Sequence, residues 1–138
     1  MLVLQLRRDG VALTEHIATV DNEIVGHVLF SRMPFDGPRG RIAAAALAPL
    51  AVVPERQRRG IGSALVRHGL ESCRKAGAAV VVLLGNPTYY SRFGFSSALA
   101  TKLRAPFAGP AFMALELSRG VLAEGGAVTY PAAFEAIM

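Results

Sequence analysis

The stretch from Leu50 to Leu65 constrains the fold most, because it joins an apolar strand to an amphipathic helix through a short loop that contains Gly60 and Gly62. Glycine lacks a Cβ atom, so the backbone of this loop can turn tightly and bring its N–H groups close to a bulky anion. The N–H groups of a helix's first turn have no intrahelical partner, and the helix dipole adds positive charge where they point. The stretch therefore predicts an anion-binding site where the helix begins.

Three arginines, Arg56, Arg58 and Arg59, lie in the same loop. Planar guanidinium groups suit phosphate geometry, so a diphosphate is the expected ligand. Two common phosphate loops do not match. Gly60-Ile-Gly-Ser63 lacks the lysine of the nucleotide-hydrolysing loop, and the three-glycine fingerprint of dinucleotide-binding proteins is also absent. The alternative interpretation is an ordinary strand–helix turn with solvated arginines.

The loop sequence Gln57-Arg-Arg-Gly60-Ile-Gly62 resembles the acetyl-coenzyme A loop of the GCN5-related N-acetyltransferases (the GNAT family), Gln/Arg-x-x-Gly-x-Gly/Ala. The resemblance implies an α+β (α/β) fold with a twisted, mixed and mostly antiparallel sheet, a splayed central pair of parallel strands and flanking helices. It also implies acetyl-CoA as co-substrate, no metal, and backbone N–H groups from Arg59 to Ala64 on the diphosphate. The implied cofactor-binding residues in this part of the chain are Leu50, Ala51, Val52, Val53, Arg58, Arg59, Gly60, Ile61, Gly62, Ser63 and Ala64.

A second segment, Tyr90-Ser-Arg-Phe-Gly94-Phe95, resembles the family's Tyr-x-x-x-Gly-Phe motif. The resemblance implies that the Tyr90 hydroxyl lies near the cofactor sulfur. There it is the catalytic general acid, which protonates the leaving thiolate within hydrogen-bond reach. The resemblance also makes Asn86 a cofactor-binding residue. Tyr89, Phe93 and Phe95 are interpreted as core aromatics.

The sequence departs from the family pattern in two places. Family members begin with a strand and one or two helices that wall the acceptor side, whereas this chain is expected to start within the last of those helices. Many members carry a glutamate general base on the strand before the loop, but residues 42–54 contain no ionisable side chain. Glu15, His16 and His27 are substitutes in principle, although each is interpreted as solvated or structural, and a water chain to Glu55 is equally possible. No base is therefore assigned.

The sequence leaves two functions open. The first is an acetyl-CoA-dependent N-acetyltransferase that acts on a primary amine of a small molecule or peptide. The second is a non-catalytic acyl-CoA-binding protein with a degenerate acceptor site. The presence of Tyr90 favours the first, whereas the short N-terminus and the absent glutamate favour the second.

Composition limits the partners. The 138 residues predict one domain, 1–138, in which substrate and cofactor share a single fold. A hydrophobic fraction of 52% against 18% charged residues excludes disorder. It indicates either a sheet that is buried on both faces or an apolar surface that is covered in a homodimer. The net charge of +5 fits nucleic acid, membranes or small anions alike. Because tryptophan and an interleaved aromatic row are absent, no specific nucleic-acid partner is expected.

The cysteine content and the N-terminus predict the compartment. Cys73 is the only cysteine, which excludes an intrachain disulfide and a cysteine-based metal cluster. No apolar run approaches the length needed to span a bilayer, and Met1–Arg8 has the reverse charge order of a signal peptide. We therefore predict a cytoplasmic protein without a membrane partner.

Local patterns predict the elements before the loop. Leu2–Arg8 is interpreted as the end of a helix capped at Gly10 rather than a short strand. Residues 11–20 and 23–33 are two strands of an antiparallel hairpin. Residues 33–40 are rich in turn-forming residues, which predicts a mobile loop that borders the substrate.

The pattern continues through the second half of the chain. Residues 41–53 predict a strand with a bulge or splayed edge at Pro49. The helix after the loop is predicted to end at Gly77, and residues 78–84 to form a parallel strand buried on both faces. The tail to Phe134, with a strand at 111–117, resembles the YhbS-like subgroup of predicted acetyltransferases.

Overall fold

The computed structural model describes residues 2–137. Within them the helices are α1 (Leu2–Arg8), α2 (Ile61–Lys75), α3 (Pro87–Tyr90) and α4 (Ser97–Ala100). The strands are β1 (Ala12–Val20), β2 (Glu23–Gly37), β3 (Gly40–Val52), β4 (Val80–Leu84), β5 (Leu103–Arg104), β6 (Phe112–Glu116) and β7 (Gly126–Val128). Short 3₁₀ turns cover Pro54–Arg56, Ser91–Phe93 and Ala132–Ile137.

The strands form one mixed sheet in the order β5-β7-β2-β3-β4-β6, and β1 also pairs with β2. β1 and β7 lie along the same edge of β2. β1 pairs with the first part of β2, and β7 pairs with β2 at Phe35 and Asp36. The β3–β4 and β5–β7 pairs are parallel, and the others are antiparallel. The predicted fold class, a mostly antiparallel sheet with a central parallel pair and flanking helices, is confirmed.

The central parallel pair separates after a short stretch. β3 and β4 pair only from Ala44 with Val80 to Ala46 with Val82. Nearer its end, β3 pairs with β2 alone, and a register shift opposite Val28–Phe30 gives β3 one extra residue. This is the bulge predicted around Pro49, and bulges bend the strand that contains them. A gap therefore opens between the ends of β3 and β4.

The prediction of a mobile loop at residues 33–40 is wrong. β2 continues to Gly37 and β3 begins at Gly40, so only Pro38 and Arg39 turn the chain. The carbonyl of Pro34 accepts from Thr129, so the nitrogen of Pro34 faces the outer edge of β2 and no bond to β3 is lost. Burial of Phe35 in the core outweighs the local turn signal. This turn lies about 33 Å along β3 from Leu50, so it does not border the gap.

Helix α2 packs on one face of the sheet. Leu65, Val66 and Cys73 are buried there, and burial raises the pKa of the Cys73 thiol to about 12. A Cβ atom on Gly69 would lie 2.0 Å from a ring carbon of Phe30, so glycine is needed for this close approach. Ala64 and Ala76 of the same segment are exposed, so they do not contribute to this packing. The predicted C-terminal end of α2 is confirmed, because Gly77 follows the helix with a φ of 91°.

The opposite face of the sheet is covered by α1 and the C-terminal part of the chain. Leu6 of α1 is fully buried in the same core cluster as Leu29, Leu122 and Phe134. The interpretation of residues 2–8 as a helix is confirmed, and Gly10 follows it with a φ of 70°. In the part of the chain that the structure describes, no helix is long and apolar enough to cross a membrane. Cytoplasmic location and homodimer formation stay predictions.

Candidate anion-binding cleft

A cleft of about 540 Å³ lies where the end of β3, the loop before α2 and the segment from α3 to Arg92 meet. The cleft contains one part of each sequence motif. Its lining residues are Leu50, Val52, Arg56, Gln57, Arg58, Gly60, Gly62, Ser63, Tyr89 and Arg92. Of the residues predicted to bind the cofactor, the structure therefore brings together Leu50, Val52, Arg58, Gly60, Gly62 and Ser63.

The loop is held in a shape that few sequences adopt. Gly60 precedes α2 in the left-handed region at a φ of 84°, and Arg58 has a φ of 64°, which is uncommon for a residue other than glycine. The side-chain amide of Gln57 donates to the Val52 carbonyl at 2.9 Å and ties the loop to β3. These features fix the direction from which α2 starts.

The first turn of α2 provides three backbone donors. The N–H groups of Ile61, Gly62 and Ser63 have no intrahelical partner, as in any helix start. The N–H group of Ala64 donates to the Gly60 carbonyl at 3.0 Å. The predicted set of N–H donors from Arg59 to Ala64 is therefore corrected at its last member, because Ala64 already forms the first bond of the helix.

Tyr89 joins the two walls of the cleft. Its hydroxyl and the Ser63 hydroxyl are hydrogen-bonded at 3.2 Å. A Cβ atom on Gly62 would lie 3.1 Å from the Tyr89 hydroxyl oxygen and 3.7 Å from a methyl carbon of Val52. Glycine at position 62 thus keeps the start of α2 open. The interpretation of Tyr89 as a core aromatic is wrong, because α3 turns this side chain toward α2 rather than into the sheet.

Arg92 forms the far wall of the cleft. Its Nε–H donates to the Tyr89 carbonyl at 2.9 Å, and its guanidinium carbon lies 4.6 Å from the centroid of the Tyr89 ring. Stacking of a cation on an aromatic face limits the positions that a long side chain adopts. Arg92 is therefore a positioned cation rather than a freely rotating one.

No carboxylate of residues 2–137 lines the cleft. Arg56, Arg58 and Arg92 form no ion pair within residues 2–137. Elsewhere arginines are paired, for example Arg41 with Asp36 at 2.7 Å and Arg74 with Glu71 at 2.5 Å. Positive charge that lacks an internal partner attracts anions to a concave site. The cleft therefore suits a ligand with several negative charges.

Tyr90 lies deeper than Tyr89 and is half-buried. Its ring packs beside Gly85, where a Cβ atom would lie 2.4 Å from a ring carbon of Tyr90, and edge-on to Phe95 at 6.0 Å. Burial, and next the neighbouring Tyr89, raises the pKa of the Tyr90 phenol. A phenol with a raised pKa stays protonated at neutral pH, as a proton donor must. The catalytic role of Tyr90 stays a prediction.

The other predicted cofactor residues lie outside the lining of the cleft: Ala51, Val53, Arg59, Ile61, Ala64 and Asn86. Ile61 packs against Gly26 on the sheet. Asn86 caps α3, where its side-chain oxygen accepts from the Thr88 N–H at 2.9 Å, and Pro87 occupies the first helical position. The predicted start of this short helix is confirmed, whereas a cofactor role for Asn86 stays a prediction.

The residues considered as general bases are engaged in structural contacts. Glu15 accepts from Arg7 and from the ring of His27, which is 2.5 Å away. The bond from Arg7, with a smaller contribution from His27, lowers the pKa of Glu15 to about 2. His16 contacts the hydroxyl of Ser72 on α2 at 3.1 Å and so joins β1 to that helix. None of these contacts singles out a base.

Four lining residues were not among the predicted site residues: Arg56, Gln57, Tyr89 and Arg92. Gln57 and Arg56 were visible in the loop, as the first residue of its motif and as part of the arginine cluster. Tyr89 and Arg92 flank Tyr90 in the second motif, but the sequence does not say which way α3 faces. In the described part of the chain no group of three or more His, Cys, Asp or Glu side chains could hold a metal ion.

The fold and the cleft together define a class: a single-sheet α/β protein with a positively charged cleft at a helix start and a central pair of parallel strands that separate. Residues 6–98 match the family model described as an acetyltransferase (GNAT) domain. The chain therefore belongs to the GNAT acetyltransferase family, and the resemblance seen in the two sequence motifs is confirmed.

Two relatives from Escherichia coli are similar in sequence. YjhQ, an uncharacterised N-acetyltransferase, is 42% identical over 62% of this chain and 48% of its own length. YhbS, also an uncharacterised N-acetyltransferase, is 39% identical over 78% of this chain and 64% of its own length. The chain thus spans roughly half to two thirds of these relatives.

Two solved structures share the fold. The crystal structure of YhbS from Escherichia coli in complex with CoA has a TM-score of 0.84 and 37% identity, covering 97% of this chain and 76% of that one. A GNAT family acetyltransferase from Brucella melitensis in complex with acetyl-CoA has a TM-score of 0.76 and 34% identity, covering 96% and 75%. The fold assignment therefore extends beyond the stretch that matches the family model.

Proposed function

We propose that the protein transfers an acetyl group from acetyl-CoA to a primary amine of a small molecule or peptide. The proposal rests on one observation: the N–H groups of Gly62 and Ser63 lie beside Arg56 and Arg58 in a cleft at the end of β3. Neither arginine forms an ion pair within residues 2–137. Backbone N–H groups at a helix start and guanidinium groups suit a diphosphate. Membership of the family, and the CoA and acetyl-CoA complexes of two similar proteins, support this choice.

The proposed chemistry needs one proton donor and one proton acceptor. The amine nitrogen forms a bond to the thioester carbonyl carbon, and the carbon–sulfur bond breaks. Tyr90 donates its phenolic proton to the departing sulfur, and the proton released by the amine passes to water. The Tyr90 phenolate then takes a proton from water, so the phenol is restored and no net proton is gained or lost. Burial of Tyr90 supports this role, because the raised pKa keeps the phenol protonated until the thiolate forms.

The alternative is a non-catalytic acyl-CoA-binding protein. It is favoured by the lack of any ionisable side chain in residues 42–54 and by the mutual engagement of Glu15 and His27, which leaves no base assigned. Both functions predict that coenzyme A binds in the cleft. They differ only in whether acetyl transfer follows.

The test is release of free thiol from acetyl-CoA in the presence of a panel of primary amines. Turnover that depends on an amine supports the enzyme, whereas tight coenzyme A binding without turnover on any amine supports the alternative. Tyr90→Phe should keep coenzyme A affinity and slow turnover by about 10² to 10⁴. An unchanged rate in that variant would reduce Tyr90 to a packing residue.

A further inference from the structure

The far wall of the cleft contains a cation that the proposed diphosphate site does not use. The diphosphate has the N–H groups of α2 and the loop arginines on one side of the cleft. Arg92 lies on the other side, after α3, and reaches the cleft from a separate element. A ligand with only a diphosphate would leave this guanidinium without an anion.

The position of Arg92 is fixed by contacts that leave its terminal nitrogens available. The Nε–H is used on the Tyr89 carbonyl, and the flat face of the group lies over the Tyr89 ring. No carboxylate pairs with Arg92 within residues 2–137. The two terminal nitrogens can therefore form a bidentate contact with a phosphate, for which a guanidinium is better suited than an ammonium group.

Arg92 also marks the outer edge of the cleft. On its other side it lines a shallow, open depression of about 290 Å³. There Arg74 is neutralised by Glu71, and the guanidinium of Arg67 lies 5.1 Å from the centroid of the Phe93 ring. Arg92 is the residue that lines both the cleft and the depression. A ligand that is too long for the cleft therefore extends into the depression past the Arg92 side chain.

Coenzyme A, the ligand in the proposed function, has a third phosphate group, a monoester on its ribose. We infer that Arg92 binds this phosphomonoester and makes the protein prefer coenzyme A to dephospho-coenzyme A. The inference rests on the proposed function for the identity of the ligand. It adds the residue that selects the phosphorylated form.

The experiment measures the affinities of coenzyme A and dephospho-coenzyme A by calorimetry for the parent and for Arg92→Gln. The parent should bind coenzyme A more tightly. The variant should lose about ten- to hundredfold in coenzyme A affinity, as expected for loss of a hydrogen bond to a charged group, and should bind dephospho-coenzyme A as the parent does. The ratio of the two affinities within one variant is the decisive quantity, because a partly unfolded sample lowers both affinities equally.

Arg74→Gln is the matched control. It removes the same charge from the same side of the molecule, but its guanidinium is already paired with Glu71, so the preference for coenzyme A should persist. Equal losses for both ligands in Arg92→Gln would assign Arg92 to the diphosphate and overturn the inference. An unchanged ratio with unchanged affinities would also overturn it. A parent that binds neither ligand would instead contradict the proposed function.

Discussion

The cleft and the corner where α1, β1 and β2 meet use positive charge in opposite ways. In the corner Arg7 donates to Glu15, which also accepts from His27, so charge is balanced inside the protein. In the cleft, Arg56 and Arg58 face no carboxylate from the described part of the chain. Like charges held together without counterions repel, so such a group is stable only with solvent or an anionic ligand. The corner thus uses charge to hold the fold, whereas the cleft keeps charge available for a ligand.

The largest effect is expected from a substitution that changes the shape of the cleft and leaves its charge intact. In Gly62→Val the added Cβ would lie 3.1 Å from the Tyr89 hydroxyl and would carry two methyl groups, so the start of α2 is blocked. Coenzyme A affinity should fall by more than about a hundredfold, the scale of several charge-assisted hydrogen bonds. Calorimetry measures the loss. His68→Val, at an exposed position on the same helix, is the control for a β-branched residue in α2.

Ionic strength is the second way to separate the two regions. Because the cleft arginines are open to solvent, added salt should weaken coenzyme A binding several-fold, with little change in the unfolding midpoint. Calorimetry and thermal melts over the same salt series measure both. Any affinity for duplex DNA should be weak and should collapse at modest salt, as non-specific contacts do. Sequence-specific DNA binding that survives physiological salt would contradict the assignment of this charge to a small ligand.

The pH dependence of stability tests the charge pairing in the corner where α1, β1 and β2 meet. In the folded protein the pKa of Glu15 is lowered to about 2 from its ordinary value of 4.5. Its contribution to stability is therefore present above pH 4.5 and is lost as the pH falls through 2. Glu15→Gln should be less stable than the parent at pH 7, and the difference should shrink towards pH 2. Urea unfolding at several pH values measures it. Glu23→Gln, at an exposed position in no ion pair of the described chain, should show no such convergence.

The smallest effect is expected from an ion pair that lies outside both the cleft and the corner. Arg39 and Glu124 are bonded at 3.1 Å, but the Arg39 side chain is 90% exposed. Arg39→Ala should change the free energy of unfolding by no more than about 0.5 kcal/mol, because exposed pairs contribute little. It should leave coenzyme A affinity unchanged. A drop in affinity would mean that positive charge acts on the ligand from any part of the surface, and the contrast between the two regions would fail.

Sequence reasoning succeeded where structure is decided locally. The loop and α2 followed from the spacing of Gly60 and Gly62 and from the periodic apolar residues behind them. The turn residues at 33–40 were equally local, yet pairing with β3 and burial of Phe35 decided the structure there. Local turn chemistry is a weak signal when a long partner strand is available.

The wall of the cleft that contains Tyr89 and Arg92 could not be predicted either, and the reason is different. Tyr89 and Tyr90 are adjacent, so they point in different directions from α3, and only the packing of α3 against α2 and Gly85 decides which hydroxyl reaches Ser63. Arg92 depends on the same packing, because it lies over the Tyr89 ring. Contacts between elements distant in sequence leave no periodic pattern in either element.

The buried thiol of Cys73 has a practical consequence for these experiments. With no exposure to solvent and a pKa of about 12, it has almost no thiolate at neutral pH and does not react with thiol reagents while the protein is folded. In an assay that detects free thiol, the signal from the folded protein and acetyl-CoA then comes from released coenzyme A alone. The same residue reacts once α2 leaves the sheet, so the rate at which a reagent modifies Cys73 reports how often the folded protein opens.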